Sequence, residues 1–249
     1  MDEYNLNPKE IFQILREKKI EYLHHANTLS TSLTFIENRA LLSRHYVEEN
    51  RLYQTFQKSD IEDKKFDVWD YVFVDGEDLH KRYNRANKYG PILFRLNLDM
   101  LTSPSIQFIQ VTKSNPMYWS EKTTTDQKFY SSLDDFNKDY LTGRKLDSQI
   151  MFLIKSPNKE IKLNKFLHSI GVDIPKLIVN LKSGGKMNVG DYAFESISKC
   201  LKNNGLGHIK VLKRHSEKFT FCACHRNYTY LQAFDQKEFI KRFRKNNSN

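Results

Sequence analysis

The chain of 249 residues is poor in the materials of several common protein classes. Three cysteines, an odd number in a long chain, exclude a disulfide-stapled secreted scaffold and fit a reducing compartment. Nine glycines are too few for a glycine-rich nucleotide cradle. The G-x-S-x-G elbow, the Walker loop, G-x-G-x-x-G and H-E-x-x-H are all missing. No Pro/Gly/Ser linker and no internal repeat divides the chain, which leaves one domain over residues 1–249. No apolar run reaches membrane-spanning length, and the opening "MDEYNLNPKEIFQILREKK" is too polar for a signal peptide. A cytoplasmic protein without membrane contact is the expectation.

What is present is aromatic and basic. Seventeen Phe and 13 Tyr supply a sizeable core. The net charge of +10 is uneven: from Lys199 onward there are 12 Lys and Arg against 3 Asp and Glu, and the rest is nearly neutral. Phosphate contacts release counterions, and rings interleaved with cations, as in "KFTFCACHRNYTYLQAF", stack on unpaired bases. The basic subregion 199–249 is therefore expected to carry nucleic acid through Lys213, Arg214, Lys218, Arg226 and Arg242. A solvated basic surface is the plain alternative.

The periodicities predict an α+β fold. "PKEIFQILREKK" reads as a helix and "IEYLHHA" as a strand in which His24 and His25 point to opposite faces. Asn27 or Thr28 caps a helix carrying Leu29, Leu33 and Ile36 and running to "LLSR". Residues 45–70 read as a long loop. "DYVFVDG", "YGPILFRLNLDML", "SIQFIQV" and "QIMFLIK" read as strands. "NKFLHSIGV" reads as a short helix, and "GDYAFESISKCLKNNG" as a helix stopped by Gly205. The tail reads as a hairpin followed by the helix "QKEFIKRFRK".

Two clusters invite metal chemistry. Cys222-x-Cys224-His225 has its cysteines one residue apart on an alternating stretch, which suits buried strand cysteines better than zinc, so no metal is expected. The carboxylates of "DIEDKKFDVWDYVFVDGED" would serve a metal-dependent nuclease if they converged, and a solvated loop otherwise.

Three segments in order, "HHANTLSTSLTFIENRALLSR", "YGPILFRLNLDML" and "SQIMFLIKSPNKEIKLNKFLHSIGV", resemble nucleic-acid-modifying ADP-ribosyltransferases of the DarT type and their CmdT-like phage-defence relatives. The resemblance covers patches of residues 20–175. It implies a split β-sheet core with flanking helices and NAD as substrate. It also implies an acceptor of single-stranded DNA or RNA, a toxin or anti-phage role, and a neutralising antitoxin protein. ADP-ribosyl transfer builds positive charge on the ribose as nicotinamide leaves. By the resemblance, His25 and Asn27 fix the NAD, Gln149 holds a ribose hydroxyl, and Tyr71 or Tyr89 covers nicotinamide. Arg44 meets the pyrophosphate, while Lys58, Lys64 and Lys65 lie in the loop that closes over NAD. The family's Q-x-E strand reads Gln149-Ile150-Met151 here, so Met151 stands at the glutamate position. Asp147 or Glu160 nearby, or Asp60, Asp63 or Asp70 from elsewhere, are then the candidate carboxylates. A nuclease and a non-enzymatic nucleic-acid-binding protein are the rival readings.

Overall fold

The computed structural model describes residues 2–57, 59–78, 90–141, 149–181, 184–215 and 224–244. Its strands in chain order are β1 (Tyr22–Asn27), β2 (Ala40–Leu42), β3 (Val72–Asp75), β4 (Ile92–Asn97), β5 (Phe108–Val111) and β6 (Met151–Lys155). β7 (Glu160–Lys162), β8 (Leu167–Ile174), β9 (Ile178–Asn180), β10 (Lys186–Asn188) and β11 (Lys210–His215) follow. Seven strands form one sheet in the order β11-β8-β4-β1-β3-β6-β5, parallel only between β11 and β8. The α+β expectation holds.

The sheet is nearly cut in two at its centre. β1 is registered with β4 along its whole length, but it meets β3 at the single pair His24↔Asp75. Beyond that pair the strands part, and the His25 imidazole bridges the gap to the Phe73 carbonyl at 2.8 Å. A side chain thus replaces a ladder bond where the main chains no longer meet.

The helix behind β1 is α2 (Leu29–Glu37), capped by Thr28, whose hydroxyl accepts from the Thr31 N–H. It ends sooner than its sequence pattern suggests. Arg39 takes φ 54° and turns the chain, so Ala40–Leu42 become β2, paired with β7. Ser43 then caps α3 (Arg44–Glu49), and α4 (Ser59–Lys65) follows in the stretch read as loop. At the entry to β4, Gly90 takes φ +122°, and a Cβ there would lie 2.2 Å from the Asn27 carbonyl oxygen. Only glycine permits this approach to the end of β1.

The two faces of the sheet differ. One carries Leu23, Ile92, Phe94, Leu96, Val72, Val74, Phe152, Ile154, Ile170 and Val172, all nearly inaccessible to solvent. They join one core with α1 (Pro8–Glu17), α2 and α5 (Val189–Asn203). The other face is apolar only over β3, β6 and β5, under Tyr4, Val68, Tyr71, Trp119 and Phe129.

Two readings change. "NKFLHSIGV" is one helical turn, Leu163–Phe166, and then β8, because residues 169–174 are buried between neighbouring strands. Of the tail read as a hairpin, Lys210–His215 is β11, laid parallel to β8 at the edge of the main sheet, and residues 216–223 lie outside the described residues. Helices α6 (Cys224–Phe234) and α7 (Gln236–Phe243) close the described chain.

Candidate functional site at the split of the sheet

Side chains that pair across strands share a face, so the single β1/β3 pair fixes a row. Reading outward from it, Met151, Asp75, His24, Arg95 and Ser169 stand side by side on β6, β3, β1, β4 and β8. This row occupies the face that lacks the continuous apolar core. Burying such groups costs several kcal/mol unless they are paired, and the charged groups beside the row are paired. Arg214 is 4% exposed and donates from Nε to Asp173 at 2.8 Å and from Nη1 to Asp78 at 2.5 Å. Its stem lies across Gly171, where a Cβ would come within 3.4 Å of Cδ. Asp78 also faces Arg95 at 3.9 Å.

Asp75 is 2% exposed. Its carboxylate accepts from the Glu77 N–H at 2.8 Å and from the Gln149 side-chain amide, whose oxygen in turn accepts from Asn115 at 3.2 Å. The row also holds polar atoms that no protein group satisfies: His24 Nδ1, Arg95 Nε and Ser169 Oγ. Three such atoms on three neighbouring strands are uncommon, because buried polar groups are usually paired. The His24 imidazole is kept neutral, with its pKa lowered to about 4, mainly by burial and further by Arg95 and Arg214 against the opposing charge of Asp78. A neutral imidazole, a buried carboxylate, a guanidinium and a hydroxyl in line can hold an oxygen-rich ligand. They can also set a negative charge beside a developing cation.

His25 lies on the opposite face, between the rings of Phe35 and Phe94 at 5.7 and 6.3 Å. Its Nδ1–H donates to Phe73, so Nε2 accepts from the Asn27 side chain at 3.2 Å. Burial lowers its pKa to about 4, and the charge of Arg44 acts the same way. His25, Asn27 and Arg44 do gather at one end of β1, linked through Thr28 and Thr55. Arg44 donates through Nη2 to Asp60 at 2.6 Å and to the Thr55 carbonyl at 2.9 Å, while Arg44 Nε and Asp60 Oδ1 are buried without a partner among the described residues. Asp63, next to Asp60 on α4, is pushed up to about 7 by burial and by that neighbouring charge.

The structure does not bring Gln149 to His25; it sets Gln149 with Asp75, on the side of His24. Tyr71 packs in the aromatic cluster with Lys155 4.9 Å above its ring. Glu160 pairs with Lys162 at 2.6 Å on β7, and Asp70 binds His45. Tyr89, Lys58, Asp147, Lys218 and Cys222 lie outside the described residues. Among the described residues no group of His, Cys, Asp and Glu converges to hold a metal. No helix there is long and apolar enough to cross a membrane.

Arg214 is corrected from a surface cation to a buried one. Lys213 is exposed but paired with Asp191 at 2.7 Å, and Arg242 is paired with Glu238 at 3.1 Å. Arg226 is exposed. In the sequence Asp75 and Asp78 stood only among the carboxylates of the rival nuclease, and nothing singled out Asp173, Ser169 or His24. The available signal was charge inside strands: Arg95, Asp173 and Arg214 each interrupt an apolar strand pattern.

No family model and no curated protein matches the chain. Solved structures do. DarT of Thermus sp. 2.9 in complex with ADP-ribosylated ssDNA matches at 10% identity over 79% of this chain and 95% of its own, with TM-score 0.50. The same protein in complex with NAD+ matches at 10% identity over 78% and 96%, with TM-score 0.46. DarTG of Thermosipho africanus in complex with ADP-ribose matches at 11% identity over 81% and 51%, with TM-score 0.44. At this identity the first match establishes a shared fold.

Proposed function

We propose that this protein transfers ADP-ribose from NAD to a base of single-stranded nucleic acid, DNA in the first instance. The observation that carries the reading is the polar row beside the split, in a fold shared with a protein solved with ADP-ribosylated ssDNA. Transfer breaks the bond between the ribose carbon and nicotinamide, and the electron pair leaves with nicotinamide. A lone pair of the base forms the new bond to that carbon, and the proton released goes to solvent. The base must be unstacked to reach the carbon, which favours unpaired strands.

His24 and Ser169 hold ribose hydroxyls and Arg95 meets the diphosphate; Arg44 is already engaged by Asp60. Asp75 takes over the electrostatic work of the glutamate missing at Met151, one strand away and in register with it. In a desolvated site a carboxylate acts on a developing cation without touching it, since charges interact strongly at low dielectric. His25 serves as the strut that holds the split open. A neutralising antitoxin partner and a cytoplasmic setting belong to the same proposal, as does a toxin or anti-phage role.

Purified protein is incubated with NAD and single-stranded DNA or RNA. Nicotinamide release with a mass gain of one ADP-ribose on the oligonucleotide is expected. Oligonucleotide binding without any mass gain would favour the non-enzymatic reading, for which Met151 is the argument.

A further inference from the structure

The basic C-terminal region contains a second feature that the row does not use. Helices α6 and α7 are docked on their inner side: Tyr228, Leu231, Phe239 and Phe243 are buried, with Tyr228 and Phe243 rings 5.0 Å apart. The Lys241 carbonyl accepts from Ser30 at 2.5 Å and from Tyr53 at 2.9 Å, which ties α7 to α2. The outer side of α6 is therefore exposed by design of the packing, not by fraying. It presents Arg226, Tyr230 and Phe234 at steps of four residues, one stripe of a helix. Tyr230 is 61% exposed and Phe234 77%, two large rings in the open with centroids 5.1 Å apart.

The exposed residues beside the stripe, Thr229 and Ala233, are small. Past Asp235, α7 also exposes Lys237, Ile240, Lys241 and Arg244. The acidic groups here are occupied: Asp235 caps α7 through the Glu238 N–H at 3.1 Å, and Glu238 pairs with Arg242. Paired rings between cations are a poor surface for water and a good one for unpaired bases, whose phosphates the cations meet.

We infer that Arg226, Tyr230 and Phe234 form a stacking platform for single-stranded nucleic acid, with Lys237, Lys241 and Arg244 following its backbone. The inference rests on the nucleic-acid reading above but not on NAD chemistry. The charge balance selects this occupant over a protein partner: 12 basic against 3 acidic residues from Lys199 onward.

The test measures binding of a labelled oligothymidylate by anisotropy across a salt series, without NAD. Tyr230→Ala and Phe234→Ala are expected to weaken binding roughly tenfold each. The slope against salt stays constant, and the denaturation midpoint stays at the wild-type value. Lys237→Gln with Lys241→Gln is expected to flatten the salt slope by about 1.4, from about 0.7 per phosphate contact. Ring variants that bind the oligonucleotide as wild type does would overturn the platform. So would ring-dependent self-association in sedimentation without any oligonucleotide binding. If the ring variants bind weakly while wild type never releases nicotinamide, the platform stands and the transferase reading falls.

Discussion

His24 and His25 are neighbours in the chain, yet the sheet puts them in different worlds. The His25 face carries the larger apolar core, broken at the end of β1 by the buried polar groups Asn27, Thr28, Thr55 and Asp60 and by Arg44, and one imidazole spans the gap between β1 and β3. The His24 face collects Asp75, Asp78, Arg95, Ser169, Asp173 and Arg214 around the one point where the half-sheets touch. An apolar face stabilises through area removed from water. A charged face of the same sheet is held by pairing and is more easily explained by ligand chemistry than by stability. Under the proposed function the difference assigns work: one face makes the fold, the other the site.

Removing a partner from each face should show this at its largest. Arg214→Met leaves Asp173 and Asp78 buried without their cation and is expected to cost about 3–5 kcal/mol. Phe152→Ala opens a cavity in the other face and is expected to cost about 3–5 kcal/mol as well. Urea denaturation reads both. The replacements separate when all the partners change: Arg214→Met with Asp173→Leu and Asp78→Leu should recover most of the lost stability, and no recovery would mean that the ion pairs are not the cause.

The histidine pair sharpens the contrast in activity. His24→Ala is expected to lower nicotinamide release on the order of a hundredfold, the scale for losing one oriented hydrogen-bonding group. His25→Ala removes the bridge to Phe73 and is expected to cost about 1–3 kcal/mol of stability, with a smaller loss of rate than His24→Ala. Equal rate losses at equal folded fractions would erase the distinction between faces.

Much of this architecture was readable in the chain. Alternation identified β1 and the opposite directions of its two histidines. Thr28 and Gly205 marked the ends of helices by capping chemistry, and "ILFRLNL" named β4. What escaped was set by partners far away in sequence. β8 looked helical because its first residues do make a turn and Gly171 resembles a stop, while its strand character comes from lying between β4 and β11. Asp75 stood in the sequence as one carboxylate of an acidic stretch; its register with His24 and Met151 is set by distant strands. Choosing His25 over its neighbour required knowing which face is core, and alternation alone does not say.

A further expected effect is in pH. Both histidines have folded pKa values of about 4, below the ordinary 6.5, so their contribution is complete above 6.5 and is lost as pH falls toward 4. Asp63 is raised from 3.8 to about 7, so its contribution is greatest below 3.8 and is lost as pH rises through 7. Between pH 4 and 6.5 the unfolded chain gains two histidine protons while the folded chain already holds one on Asp63. Stability should therefore fall on acidification with a slope of about one proton. Asp63→Asn should be more stable than wild type at pH 8 and should steepen that slope toward two protons. A flat profile in both proteins would show that these groups titrate normally.

The assignment of chemistry to one face is tested most directly by a crystal structure with ADP-ribose bound. The account predicts the ligand on the His24 face, with ribose or diphosphate oxygens within hydrogen-bonding distance of His24, Arg95 or Ser169. Density for the ligand on the His25 side, among Asn27, Thr28 and Arg44, would contradict it.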